Sequence, residues 1–358
     1  MTLLISAGCA TSAPLHAQKI SIDAGLIEKS DYIDIVQEDG AFSYVSYLAQ
    51  ENLREDSPIA SCDHLMGASS HTQKYAIWLW DLRKIAGKEQ EVVSRLRRDL
   101  FSRVYLQISR DLEAVRPFLR EAAAAGIEVF ALDGESGHID DWSYLADDIR
   151  RVSEFNASAQ GYGFAGIQFD VEPYLKKDFN LRKQHYADQY LKMASELQRL
   201  SKGKLKLSFA LPFWFHKLMV QGKPLSFHVI DIADEVVLMS YRTTYEDLVS
   251  SALAELCHAG TAGKPLLLGL EVNRLPDEHH YVIDRNEVYA NATLADNALI
   301  IEGKSVDKLK PVRTYVVKAE KLSFFRNRDR LAPILKKGIP YTSFSGFVIH
   351  SYEGFYEQ

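Results

Sequence analysis

From residue 74 onward the chain alternates between two hydrophobic periods. Short runs that are apolar at nearly every position are followed by longer stretches with an apolar residue every third or fourth position. The first kind reads as strands buried on both faces, the second as helices that cover them. The strand runs are Tyr75–Trp80, Arg103–Ile108, Ile127–Leu132, Gly166–Val171, Lys204–Ala210, Glu235–Ser240, Pro265–Leu270 and Ser345–His350. The spacing predicts helices at about 89–100, 111–125, 143–160, 180–201 and 245–260. Gly126, after Ala122 to Ala125, is a good helix stop. Eight strands with helices between them is the count of a (β/α)8 TIM barrel, an α/β fold. The competing doubly wound sheet lacks its mark, because no glycine-rich phosphate turn follows the first strand.

Two regions depart from the alternation. Residues 274–325 exceed a normal strand-to-helix connection and contain the strand-like runs Tyr281-Val-Ile and Thr314–Val317. They read as a hairpin insertion after the seventh strand. Residues 18–73 precede the barrel and read as an extension packed on it, with a helix near 41–53. Residues 74–358 then form the barrel, and no internal repeat or low-complexity stretch interrupts them.

Chemistry in such a barrel sits at the carboxyl ends of the strands. Those ends read, in order, Trp80-Asp81, Asp133-Gly134-Glu135, Asp170-Val171-Glu172 with Tyr174, Pro212-Phe-Trp214, Tyr241-Arg242, Glu271 with Asn273, and His350 with Tyr352. One rim collects carboxylates, two Trp, several Tyr, an Arg and a His, while the opposite rim shows no such concentration. The densest part is Phe164-Ala-Gly-Ile-Gln-Phe-Asp-Val-Glu-Pro-Tyr174. Residues two apart on a strand share a face, so Asp170 and Glu172 point the same way. Their repulsion raises one pKa, which suits a proton donor at neutral pH. The plain alternative is that they cap the next helix or pair with Lys176 and Lys177. Carboxylates flanked by aromatic platforms suit a saccharide, whose C–H faces stack on rings.

Composition narrows the field. The 358-residue chain carries net charge −6 with pI near 6.0, which gives no basic footprint for nucleic acid. No metal-ligand spacing of Cys and His occurs. The adjacent pair His279-His280 does not put both rings on one face, so neither a metal nor a cofactor is expected.

The sequence Ala165-Gly-Ile-Gln-Phe-Asp-Val-Glu172 resembles the strand-4 motif Asp-Gly-x-Asp-x-Asp-x-Glu of family 18 glycoside hydrolases, the chitinases and endo-β-N-acetylglucosaminidases. Met239-Ser-Tyr241 resembles that family's Met-x-Tyr. The resemblance covers roughly residues 75–352. It implies Glu172 as proton donor, with Asp170 and Tyr241 holding the N-acetyl group whose carbonyl oxygen attacks. Ala165 and Gln168 stand where the family has its first two aspartates, and His350-Ser-Tyr352 stands where it has a strand-8 Trp. The rim residues Trp80, Asp81, Asp133, Tyr174, Trp214, Arg242, His350 and Tyr352 are then candidates for substrate binding. A second enzyme reading uses Glu172 as acid/base and Glu271 as nucleophile, as in retaining β-glycosidases. A third is a carbohydrate-binding barrel without catalysis.

The first residues bear on location. Met1-Thr-Leu-Leu-Ile-Ser-Ala-Gly-Cys9 resembles the apolar half of an export signal, and Ser6-Ala-Gly-Cys9 a lipoprotein cleavage box. Residues 1–17 are thus expected to be a signal remnant, with a lipid anchor at Cys9 or cleavage near Ala17. The expectation is an exported protein, periplasmic or membrane-anchored. Cys62 and Cys257 are left, as one bridge or as two buried thiols.

Overall fold

The structure, a computed structural model, describes residues 19–39, 41–48, 62–69, 71–295, 297–302 and 309–356. The expected signal and Cys9 lie outside the described residues. Contacts divide the chain into two compact units. One takes Ile59–Glu172, Ala187–Arg274 and Glu320–Gln358, and the other Met1–Pro58, Pro173–Tyr186 and Leu275–Ala319.

The first unit is a closed parallel barrel. Its strands are β1 (Lys74–Leu79), β2 (Arg103–Gln107), β3 (Glu128–Asp133), β4 (Gly166–Phe169), β5 (Lys206–Pro212), β6 (Glu235–Met239), β7 (Leu266–Glu271) and β8 (Phe344–His350). They pair in chain order, and β8 closes on β1. Helices α1 (Glu89–Arg98), α2 (Arg116–Ala124), α3 (Ser143–Ser158), α4 (Lys183–Ser201), α5 (Leu225–Ile232), α6 (Tyr245–Ala262) and α7 (Leu331–Lys337) fall between them, and α8 (Tyr352–Tyr356) follows β8. Every residue of β4, β6 and β7 is buried, as expected for strands covered on both faces. Local chemistry sets the helix ends. Pro117 sits in the first turn of α2, where its missing N–H is not needed. Thr244 accepts from the Asp247 amide to cap α6, and Gly263 ends it at φ 65°.

Side-chain alternation fills the lumen. Trp78 points inward, and its Nε1 donates to Gln168 Oε1 at 2.6 Å. Gln168 Nε2 in turn donates to Ser208 Oγ at 2.9 Å. Gly269 leaves room for the Trp78 ring, since a Cβ there would lie 3.0 Å from it. This belt is the floor beneath the carboxyl-end rim. The amino end is not as bare of polar groups as its sequence suggests. Arg103 Nη1 reaches Glu235 at 2.6 Å, Tyr105 OH donates to the same carboxylate at 2.7 Å, and Arg103 Nη2 holds Glu128 at 2.8 Å. Those residues sit on inward positions of strands that otherwise read as apolar, so the cluster is invisible until the barrel closes. Cys62 and Cys257 are joined as a disulfide, with Cα atoms 5.8 Å apart.

The second unit is built from both irregular regions. Lys19–Asp23 pairs with Ala298–Glu302, and Tyr32–Glu38 pairs with Glu278–Asp284. The hairpin expected within the insertion forms between Glu278–Asp284 and Pro311–Val317. Ile20, Ile22, Ile33, Ile35, Tyr47 and Ile301 pack into one core. The helix expected near 41–53 is absent from its described part. Ala41–Leu48 is a strand, antiparallel to Tyr32–Glu38. Its aromatic and β-branched residues favour a pleated surface. Asp39, at φ 47°, precedes Gly40, a hairpin signal that outranks the helical spacing.

Candidate active site

The inward face of the carboxyl-end rim continues the alternation of each strand. Just past the end of β4 comes Asp170, with Glu172 near enough for its charge to act on Asp170, Tyr241 and His350; above Met239 comes Tyr241, and above Gly269 comes Glu271. Above Trp78 and Val348 come Trp80 and His350. By parity Gln107 and Gly134 fall at the same positions on β2 and β3, though the Gln107 amide donates to Ile108 O at 3.2 Å and to Asp133 Oδ1 at 3.4 Å. Neither was marked by sequence, although parity with Tyr105 and Leu132 was there to read.

Asp170 is 9% exposed, and its amide donates to Asp133 O at 3.0 Å. Its Oδ1 is buried without a hydrogen-bond partner. Burial, and then the Glu172 charge, push its carboxyl well above the usual carboxylate range, while His350 pulls the other way. The two carboxyls are therefore an electrostatic pair whose buried member holds its proton more tightly than a free carboxyl does.

Tyr241 is 5% exposed, and its ring stacks on His350 at 5.8 Å and 27°. Burial, then Glu271, Asp170 and Glu172, push its phenol well up, so it stays a hydrogen-bond donor. Glu271 has no exposed surface. Its Oε1 accepts from the Asn273 amide and side chain, both at 2.7 Å, and its Oε2 faces His350 Nδ1 at 2.7 Å. Burial lowers the His350 pKa, but Glu271, with help from Asp170 and Glu172, outweighs it and the net shift is upward. Trp78 and Trp80 meet the same imidazole edge-on at 5.7 and 6.2 Å. Trp80 Nε1 is buried without a partner.

Other rim candidates face elsewhere. Asp81 turns outward to Arg83, at 2.7 and 2.8 Å, and caps the turn that follows. Asp133 lies on the outer side of β3, next to α3. Arg242 does not pair with Glu271. It lies 4.5 Å over the Phe213 ring and donates to Tyr241 O at 2.7 Å. Trp214 is 9% exposed, edge-on to Phe215 at 5.1 Å. Tyr352 is buried in α8, with its ring 4.7 Å from Tyr356. Tyr174 belongs with the second unit, where its ring meets Phe179. Asn273, which fixes Glu271, was read at the strand end but given no role. Among the described residues no cluster of three or more His, Cys, Asp or Glu can hold a metal, and no helix is long and apolar enough to cross a membrane.

Fold and rim together define a (β/α)8 barrel that gathers Trp80, Asp170, Tyr241, Glu271 and His350 at the carboxyl ends of its strands. No protein-family model matches the chain, and no curated protein does. Among solved structures it is similar to a chitinase from Chromobacterium violaceum, with 12% identity, a TM-score of 0.44, and coverage of 80% of this chain and 100% of the other. It is similar to a chitinase from Bacteroides thetaiotaomicron at 13% identity and TM-score 0.42, over 79% and 90% of the two chains. The Bacillus cereus spore cortex-lytic enzyme SleL shows 9% identity and TM-score 0.42, over 79% and 72%.

Proposed function

We propose that the barrel hydrolyses a glycosidic bond in a polysaccharide or glycoconjugate, with Glu172 as proton donor and Asp170 and Tyr241 assisting. The observation that carries the reading is the Asp170–Glu172 pair. Asp170 is buried and unpartnered at Oδ1, and burial and the Glu172 charge push its carboxyl well above the usual range. Passing a proton from Asp170 to Glu172 readies an acid for the glycosidic oxygen. It also leaves Asp170 anionic, able to accept the N–H of an acetamide on the sugar. The acetamide oxygen then attacks the anomeric carbon, the leaving group takes the proton, and water completes the reaction. Tyr241, kept protonated, donates to that acetamide oxygen and aims it.

The two-glutamate route is not favoured. A nucleophile needs a free oxygen facing the anomeric carbon. Both Glu271 oxygens are engaged and the residue is fully buried, which suits an anchor for His350. The disulfide supports a further part of the proposal, work outside the reducing cytoplasm.

Glu172→Gln tests the reading. Turnover of N-acetylated oligosaccharides should fall by about 10²–10⁴ while binding is kept, because only the proton is removed. Wild-type turnover should require the N-acetyl group. Full activity in Glu172→Gln, measured by product release, would eliminate Glu172 as the acid. Binding without any wild-type turnover would leave the non-catalytic barrel.

A further inference from the structure

The rim between the ends of β5 and β6 carries a charge that the catalytic reading does not use. Arg242 follows Tyr241 there and is half-buried. We infer that Arg242 is a specificity-determining residue that binds a carboxylate borne by the saccharide. The inference rests on the reading of the barrel as a saccharide-acting protein and names the class of its substrate, an acidic glycan.

Three observations carry it. First, the guanidinium holds no carboxylate among the described residues. Its hydrogen bond runs from Nη1 to Tyr241 O at 2.7 Å. Arg103, Arg116 and Arg151, which are also buried or half-buried, each hold a carboxylate, from Glu235, Glu113 and Asp148. Arg328 holds none, but it spends its donors on the Gly354 and Phe355 carbonyls of α8. The acid whose charge reaches Arg242 is Asp247, and Thr244 Oγ1 engages that carboxylate at 2.7 Å. A part-buried charge without a counterion is costly, and the oxygens of a ligand relieve the cost.

Second, the guanidinium is laid over a ring. It sits 4.5 Å from the centre of Phe213, which follows β5. The ring occupies one face of the guanidinium and Tyr241 O takes one donor, so the rest of the planar fork is left for a ligand. That fork matches the two oxygens of a carboxylate. Third, both supports are fixed. His216 Nδ1 lies 2.9 Å from Phe213 O and 3.2 Å from the buried Glu255 carboxylate. Thr243 is buried and donates from Oγ1 to Glu320 O at 2.7 Å. Arg242 thus stands between two buried residues, Tyr241 and Thr243. A cation ordered in advance loses less entropy when its anion arrives.

Tyr241 joins this charge to the catalytic pair. Its ring stacks on His350 and lies in the field of Asp170 and Glu172, while its carbonyl holds the guanidinium. A saccharide seated on Tyr241 can therefore meet Arg242 with a neighbouring unit. A neutral unit gains little from the guanidinium, whereas a uronic acid pairs with it.

Calorimetry at neutral pH on the full chain carrying Glu172→Gln tests this. The probes are a hyaluronan hexasaccharide, which alternates N-acetylglucosamine with glucuronic acid, and a galacturonic acid hexamer, each beside its methyl ester. An N-acetylglucosamine hexamer and acetate, a carboxylate without a sugar, are the controls. The acid form of at least one pair should bind about tenfold more tightly than its ester. Arg242→Gln should abolish that preference. Arg242→Lys, which keeps the charge but not the fork, should retain only about threefold of it. Both variants should bind the neutral hexamer within about twofold of their parent. The comparison of acid with ester needs no change at Arg242, so it stands whatever the variants do to folding. Acid and ester alike in both pairs, absence of binding included, would overturn the inference. So would a preference that survives Arg242→Gln, or acetate binding as tightly as the acidic oligomers. A preference that depends on Arg242, with no turnover of any saccharide by the wild type, would sink the hydrolase and leave the carboxylate site standing. Turnover with binding indifferent to the carboxylate would do the reverse.

Discussion

Gly134 lacks a side chain because of the strand beside it. A Cβ at that position would lie 2.1 Å from the Asp170 carbonyl oxygen and 2.7 Å from its amide nitrogen, and neither backbone atom can swing away. Gly134→Ala should therefore displace the end of β4. The overpacking costs about 1–3 kcal/mol. A shift of the Asp170 carboxyl by about 1 Å is enough to cost about a hundredfold in turnover. Melting curves and kinetics on the same preparation check this, and unchanged kcat would show that Asp170 needs no such tight seat. The same scale explains what sequence conveyed of the site. Strand alternation predicts that Asp170 and Glu172 share a face, but β4 ends at Phe169 and both lie just beyond it. That Asp133 faces out follows from the same parity, once Leu132 is placed inside. Asp81 was not legible, because a short acid at a strand end serves a rim or caps the next turn equally well, and Arg83 decides it. Nor was the role of Gln168 legible, since its partners Trp78 and Ser208 come from strands far apart in sequence.

At the scale of elements, all eight barrel strands were legible because parallel strands buried on both faces leave long apolar runs. The strand Ala41–Leu48 was not, because its pattern is half-polar and its helix-like spacing masked the Asp39-Gly40 hairpin signal that pairs it with Tyr32–Glu38. One of its neighbours carries a pH-dependent device. In the four-stranded sheet His280 lies between Asp34 at 2.9 Å and Glu278 at 3.1 Å, with the Tyr315 ring stacked on it at 4.2 Å. Burial works against its charge, but the two carboxylates outweigh it and lift its pKa to about 9. The folded form thus holds a proton more tightly than the unfolded one, whose His titrates near 6.5. Its contribution is complete below that value and is lost as the pH rises through about 9. Stability should accordingly fall between about pH 7 and 10, by up to about 3 kcal/mol from this residue. His280→Gln should be less stable at pH 6 and should flatten that slope in denaturant titrations. An unaltered slope would assign the pH dependence to other groups.

For the whole molecule, the barrel unit is tied by Cys62–Cys257 across 195 residues of sequence. Cross-links over long loops remove much unfolded-state entropy, which is worth about 2–5 kcal/mol. Reduction, or Cys62→Ser, should lower the melting temperature by roughly 5–15 °C. A melting curve indifferent to reductant would show that the bridge adds nothing to the folded state. The second unit meets a different constraint, one of time. Its strand Tyr32–Glu38 is made well before its partner on one side, Glu278–Asp284. Asp34 and His280 are 246 positions apart. At about 5–20 residues per second, the ribosome needs roughly 10–50 s to supply that partner. Throughout that interval one edge of the hairpin, with Ile33 and Ile35 beside it, stays open to any other strand in reach. A strand that leaves the ribosome long before its partner is thus completed late, and its safekeeping falls to whatever escorts the nascent chain.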